Sequence, residues 1–214
     1  MKWHPSSLGK LMTASRTKSE VLSETTKSYI RGVAKQDFYG YNVELNNKYI
    51  NKGKMQENDS IALLNTVNFT SMVKNTERLN NEWLTGEADI VLDDQIIDIK
   101  TSWSLETFPA TSEEGINKDY EWQLRAYMML YDKNYASLVY CMVSTDPSLL
   151  NEWENLSLHQ VDHIDPSKRI TTLLFTRDLE LEEEIKVRLH HCTEYYVTYI
   201  NRLNNKYNGP RRFL

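Results

Sequence analysis

The chain has 214 residues, 40% hydrophobic and 26% charged, with a net charge of −5 at pH 7. Such values exclude a disordered, collagen-like or coiled-coil protein, and a chain of this length buries roughly 70% of its unfolded surface without a disulfide or metal staple. The charge is uneven: residues 1–54 hold ten Lys and Arg against four Asp and Glu, net +6, which leaves −11 for the rest.

No repeat, low-complexity tract or Pro/Gly/Ser linker divides the sequence, so a single domain over 1–214 is expected. The segment from Ser6 to Ser19 is polar and basic. The spacing of Leu22, Tyr29 and Val33 predicts a helix from Val21 to Tyr39, closed by Gly40. A second helix is expected over Asn47–Leu64, with Ile50, Ile61 and Leu64 on one apolar face together with Glu57. The period then changes to that of strands, over Leu84–Leu92 and Gln95–Thr101, joined by a turn at Asp93-Asp94. A long loop from Trp103 to Asn117 follows, then a helix over Lys118–Tyr131, strands over Ala136–Ser144 and Ile170–Thr176, and a long helix from Asp178 with Ile185, Leu189, Cys192, Tyr196, Tyr199 and Leu203 as its stripe and Gly209-Pro210 at its end. The order predicts an α/β protein, a mixed central sheet flanked by helices.

Two cysteines, Cys141 and Cys192, suit a reducing compartment. No apolar run nears the ~18 residues of a membrane span, and Met1 to Pro5 carry no apolar signal core, so a cytoplasmic protein with no membrane partner is expected. His159 and His163 fall in a loop with no evident role, and the consecutive His190, His191 and Cys192 point in different directions on a helix and make a poor metal site.

The chemistry concentrates in residues 86–100. Asp98 and Lys100 are two apart in a strand and share one face, while Ile97 and Ile99 take the other. A carboxylate and an ammonium side by side on a central strand are costly to bury without a task. Asp89, in the preceding strand, reaches the same end, and Glu57 is an acid out of place on an apolar helix face; Gly53, one turn earlier, is read as a point of close backbone approach. Three carboxylates and a lysine fit a hard cation such as Mg²⁺, which takes one or two carboxylates and keeps several waters. The reaction class is metal-dependent phosphodiester hydrolysis, with the lysine steadying charge or orienting the attacking water.

Asp89, an eight-residue gap and then Asp98-Ile99-Lys100 resemble the signature of the PD-(D/E)XK nuclease superfamily. Gln123-Leu124-Arg125-Ala126-Tyr127 resembles the Gln-x-x-x-Tyr motif of its RecB-like and phage-exonuclease branches. Gly53 to Glu57 is similar to the Gly-x-x-x-Glu helix of lambda-exonuclease-like proteins, and Thr13-Ala14-Ser15 to their N-terminal segment. The resemblance implies a restriction-endonuclease-like core. It implies that Glu57, Asp89 and Asp98 are metal ligands with the Ile99 carbonyl, that Lys100 is the catalytic lysine, and that Gln123 and Tyr127 support the site or touch DNA. The cofactor would be Mg²⁺, with Mn²⁺ as the alternative, one or two ions per site. Ala88 stands where the signature has proline, and Asp98 where the lambda-like branch usually has glutamate. The arginine that helps hold the 5′ phosphate in lambda-like enzymes is missing from Pro5 to Gly9; Ser15, Arg16 and Arg125 are the candidate DNA contacts here.

The resulting expectation is a DNA exonuclease of phage-type recombination in a bacterial host cell. It acts on double-stranded DNA ends, 5′ to 3′, with a single-strand annealing protein as partner and a homo-oligomer as assembly. An endonuclease on the same core, or a non-catalytic DNA-binding protein with a nuclease fold, are the alternatives; the intact acid–acid–lysine set argues against the last.

Overall fold

The computed structural model describes residues 1–44 and 46–208, the side chain of Asn208 excepted. A short 3-10 turn, Pro5–Ser7, leads into α1 (Leu8–Leu11), followed by α2 (Glu24–Tyr39) and α3 (Lys48–Asn68). Two short strands, β1 (Leu79–Asn80) and β2 (Thr85–Gly86), pair antiparallel. The main sheet holds β3 (Ile90–Val91), β4 (Gln95–Thr101), β5 (Tyr135–Cys141) and β6 (Ile170–Thr176), in that spatial order. Helix α4 (Lys118–Tyr131) crosses from β4 to β5, and α5 (Leu179–Asn208) closes the described chain.

The sheet is mixed, as expected: β3 and β4 are antiparallel, β4 and β5 parallel, β5 and β6 antiparallel. A parallel pair needs a crossover, and α4 supplies it. Ile96, Ala136 and Leu138 look to one side of the sheet, into a core with Leu8, Ile30, Leu124, Met128, Ile185 and Leu189. Ile97, Ile99, Val139 and Cys141 look to the other, against Ile61, Leu63 and Leu64 of α3. Asp98 and Lys100 lie on the face of Ile96, toward α4, because side chains alternate along β4.

Local signals set the helix limits. The side chains of Ser23 and Asn47 accept from Thr26 N and Ile50 N at the starts of α2 and α3, and Asn117 caps α4 through Asp119 N and Tyr120 N. Gly40 ends α2 at φ 69°, the left-handed region that glycine enters without strain. Asp178 accepts from Glu180 N and Leu181 N at the head of α5. The predicted end of that helix, Gly209-Pro210, lies outside the described residues.

Several expectations need correction. The strand over Leu84–Leu92 is two short strands, β2 and β3, with an irregular stretch between them. Its turn at Asp93-Asp94 is present, closed by Leu92 N donating to Gln95 O at 2.8 Å. The strand over Ala136–Ser144 is Tyr135–Cys141. In α2 the buried row is Thr26, Ile30 and Ala34, with Tyr29 and Val33 at its margin, because the helix turns its small and branched residues toward the core. In α3 the phase breaks at Gln56 (φ −115°, ψ 19°), so the apolar face begins only at Ile61. Gly53 is no close-approach point: a Cβ there would meet no atom within 4 Å. Among the described residues no helix is long and apolar enough to cross a membrane.

Candidate active site

β3 is only two residues long, so β4 runs on beyond it with an open edge. Gln95 and Ile97 turn their backbone groups toward β3, and two residues further Ile99 does the same. With no strand there to pair with, Ile99 N donates to Asp89 Oδ2 at 2.7 Å. The Ile99 carbonyl leaves the strand on that same edge, since N–H and C=O of one extended residue point the same way.

Beside this edge opens a cavity of about 550 Å³. Asp89, Asp98, Ile99 and Lys100 line it from the sheet, Glu57 from α3, and Gln123 and Tyr120 from α4. The sequence-predicted acids and lysine therefore meet in one place. Asp98 is 2% exposed. Its Oδ1 accepts from Gln123 Nε2 at 2.9 Å, and its Oδ2 lies 2.7 Å from Lys100 Nζ. That ion contact has no hydrogen-bond alignment, which leaves Oδ2 a buried acceptor without a hydrogen-bond donor. Lys100 Nζ also sits 3.4 Å from Gln123 Oε1 and 4.5 Å from the Tyr120 ring centroid.

The electrostatics follow from this crowding. Burial pushes the Asp89 carboxyl up to about 7, and the neighbouring Asp98 charge adds to it. Burial works against the Lys100 ammonium, but Asp98 first and then Asp89 and Tyr120 together more than offset it and hold the pKa above the ordinary lysine value. Lys74 is tied to Glu57 by a short ion pair that raises the lysine's pKa.

Of the two positions expected to support the site or touch DNA, Gln123 bonds Asp98 and Tyr127 bonds the chain two residues before Asp89. Tyr127 does not point to the cavity mouth; its hydroxyl donates to Glu87 O at 2.9 Å. Burial, then the charges of Asp98 and Asp89, raise its pKa. One turn on, Tyr131 donates to Glu77 O at 2.7 Å and accepts from Ala88 N at 3.2 Å. Asn75 donates its backbone N–H to Asp89 O at 2.7 Å and its Nδ2 to Ala88 O at 3.0 Å. Residues 87–89 are thus held by side chains of α4 and by Asn75 in place of a strand ladder. The repeat of Tyr127 at Tyr131 on one helix face was a visible signal; nothing in the sequence marks Lys74 or Asn75.

The three predicted DNA contacts line no part of the cavity. The Ser15 hydroxyl closes a local turn with Thr17, and Arg16 is exposed beside it. Arg125 binds Glu121 through Nε and Nη2 at 3.0 and 2.6 Å, on a flank of α4 turned from Asp98.

The cavity suits a hard cation. Its donors are oxygens: the orphaned Asp98 Oδ2, Asp89, Glu57 and the edge carbonyl of Ile99. Among the described residues no three His, Cys, Asp or Glu side chains form a cage by themselves. The oxygen donors are of the kind Mg²⁺ takes, which is held by few carboxylates and completes its shell with other oxygens.

A mixed sheet with acids and a lysine at the open edge of its second strand, faced by a helix glutamate, defines the PD-(D/E)XK nuclease class. No protein-family model matches the sequence, and no curated protein does. Among solved structures the chain is similar to a phage-related exonuclease from Haemophilus somnus 129PT, with 33% identity over 95% of this chain and 96% of the other and a TM-score of 0.89. It is also similar in fold to an alkaline exonuclease (LHK-Exo) from Laribacter hongkongensis, at 16% identity over 96% of this chain and 92% of the other, with a TM-score of 0.70. A complex of that enzyme with dAMP superimposes at 0.68. The chain belongs to the family of phage-related exonucleases.

Proposed function

We propose that the protein is a Mg²⁺-dependent DNA exonuclease that hydrolyses double-stranded DNA from its ends, 5′ to 3′, releasing nucleotides. Mn²⁺ is the alternative cofactor. The observation that carries the reading is Asp98: a carboxylate buried at 2% exposure, clamped through one oxygen and left without a hydrogen bond on the other, in a cavity shared with Asp89, Glu57 and Lys100. Similarity to exonucleases supports the action on ends, while the polarity, a role in phage-type recombination and an annealing protein as partner follow from the motif resemblance to lambda-exonuclease-like proteins. The dAMP complex of the Laribacter enzyme supports a nucleotide product.

Asp89, Asp98, Glu57 and the Ile99 carbonyl would hold the cation, which when bound offsets phosphate charge and makes water acidic enough to attack. Gln123 fixes Asp98 by Oδ1 and so turns Oδ2 to the cavity. Asp89 is anchored by Oδ2 on Ile99 N, which leaves Oδ1 for the cation. Lys100, with its raised pKa, stays charged at neutral pH. It therefore acts as a cation beside the phosphate, not as the base. Water adds its oxygen to phosphorus as the bond to the neighbouring nucleotide's oxygen breaks, and that oxygen leaves with a proton.

Purified Asp98→Asn and Lys100→Ala test this. Loss of a supporting partner alone costs about 10–100-fold in such sites, so loss of the central groups should exceed ~100-fold in nucleotide release at unchanged circular dichroism. Near-native rates in either variant would remove the cavity from the chemistry.

A further inference from the structure

Helix α3 presents two adjacent rows to the rest of the protein. Tyr49, Gly53 and Glu57, one turn apart, line the cavity. The neighbouring row, Lys48, Lys52, Gln56 and Ser60, is polar, yet three of its four members are buried. Each of the four is bonded to a different piece of the cavity's surroundings. Lys48 Nζ pairs with Glu154 Oε1 at 2.9 Å. Gln56 Nε2 donates to Ser144 O at 2.6 Å, and its Oε1 accepts from Asp146 N at 3.2 Å. Ser60 Oγ meets Thr101 Oγ1 at 2.8 Å, next to Lys100.

Lys52 is the centre of this row. It is 0% exposed and has no carboxylate partner among the described residues. Its ammonium donates to Trp103 O at 3.0 Å, Val143 O at 2.9 Å and Thr145 Oγ1 at 2.7 Å. Thr145 Oγ1 in turn donates to Trp103 O and meets His159 Nδ1 at 3.0 Å, and His159 Nε2 lies 3.3 Å from Glu154. A buried cation is expensive, and burial pulls this one down to about 8. A lysine is the one side chain whose three donors on a flexible stem match three acceptors from two chain segments. An apolar residue would take the donor from Val143 O and leave Trp103 O with Thr145 Oγ1 alone.

We propose that Lys52 is a positioning residue for the metal-binding acids: it bolts α3 to the Trp103 wall and to the segment after β5, and so fixes the helix rotation that carries Glu57 into the cavity. The inference rests on the metal-binding role proposed above for Glu57. Directional bonds set this rotation because the buried apolar side chains of α3 start only at Ile61, beyond Glu57. The break at Gln56, held by its own two bonds, fixes the angle at which Glu57 follows.

A calorimetric double-mutant cycle with Mn²⁺ on the full chain tests it. Lys52→Met is expected to weaken Mn²⁺ at least about tenfold, and Glu57→Gln to weaken it as well. Because Lys52 acts through Glu57, the double variant should bind no more weakly than Glu57→Gln alone; a merely structural role would add its own loss. Thr145→Val removes one acceptor, is expected to give a smaller loss in the same direction, and decides the matter if Lys52→Met does not fold. Native affinity in the folded Lys52→Met, or in Thr145→Val when it is the deciding variant, overturns the inference and leaves the metal reading intact, as do additive losses in the double variant. No Mn²⁺ binding by the wild type overturns both.

Discussion

Gln123 touches both partners of the central ion pair, donating to Asp98 Oδ1 and standing 3.4 Å from Lys100 Nζ. Leucine in its place would strip a buried carboxylate of its one aligned donor. Gln123→Leu should lower the rate about 10–100-fold, with a matching rise in the Mg²⁺ concentration needed for half-maximal activity. Glu in the same place would add a fourth acid to Glu57, Asp89 and Asp98 and should be worse than Leu, a ranking that steady-state rates can check. Asp89 gives a pH dependence. Its folded pKa of about 7 is above the ordinary aspartate value, so without metal the folded protein binds this proton more tightly than the unfolded chain between about pH 4 and 7. Stability from the neutral acid is present at low pH and is lost as pH rises through that window. Asp89→Asn cannot ionise, so its melting temperature should gain on the wild type from pH 5 to pH 8, and Mg²⁺ should restore the wild type by favouring the carboxylate. A pH-independent difference between the two proteins would contradict the assignment. The acid pair and Lys100 were legible because strand alternation alone puts Asp98 and Lys100 on one face. Lys52 was not, because a helical lysine reads as solvated unless its acceptors, 51 and more residues away, are known.

The stretch from Gly86 to Asp89 shows why one strand became two. Its composition favours a strand, but Tyr127, Tyr131 and Asn75 take the backbone groups of residues 87–89 that a ladder would use. Gly86 permits this arrangement. A Cβ there would lie 2.8 Å from Pro5 Cδ and 3.1 Å from Tyr127 Cε1, both in rings with little room to move. Gly86→Ala should therefore cost about 1–3 kcal/mol in urea unfolding and slow hydrolysis by shifting Tyr127 and with it Asp89. An unchanged rate would mean that the tyrosine does not place Asp89. Helix α4, in contrast, was read with its observed limits, since Asn117 caps it and Asp132 at φ 53° ends it. The face of α2 was misplaced by one position: Thr26, Ile30 and Ala34 are buried, with Tyr29 and Val33 at the margin.

Part of the basic N-terminal third is taken up within the fold. Lys27 is paired with Glu20 and Glu24, Lys48 with Glu154, and Lys52 is buried. At the cavity, Lys54 and Lys100 stand among the acids. The N-terminus serves the fold: Trp3 N donates to Trp83 O, Trp3 O accepts from Thr85 N, and its indole reaches Thr193 on α5 at 3.1 Å. The class of fold was legible from the order of helices and strands, whereas these long-range ties were not, since no local pattern announces a partner 190 residues away. The reaction proposed for the whole molecule is metal-dependent hydrolysis that begins at a DNA end. The most direct measurement is a time course in Mg²⁺ on linear and covalently closed plasmid DNA, with a chelator control. Loss of the linear form alone, stopped by the chelator, is the predicted result; cutting of the closed circle, or digestion that persists in the chelator, would contradict it.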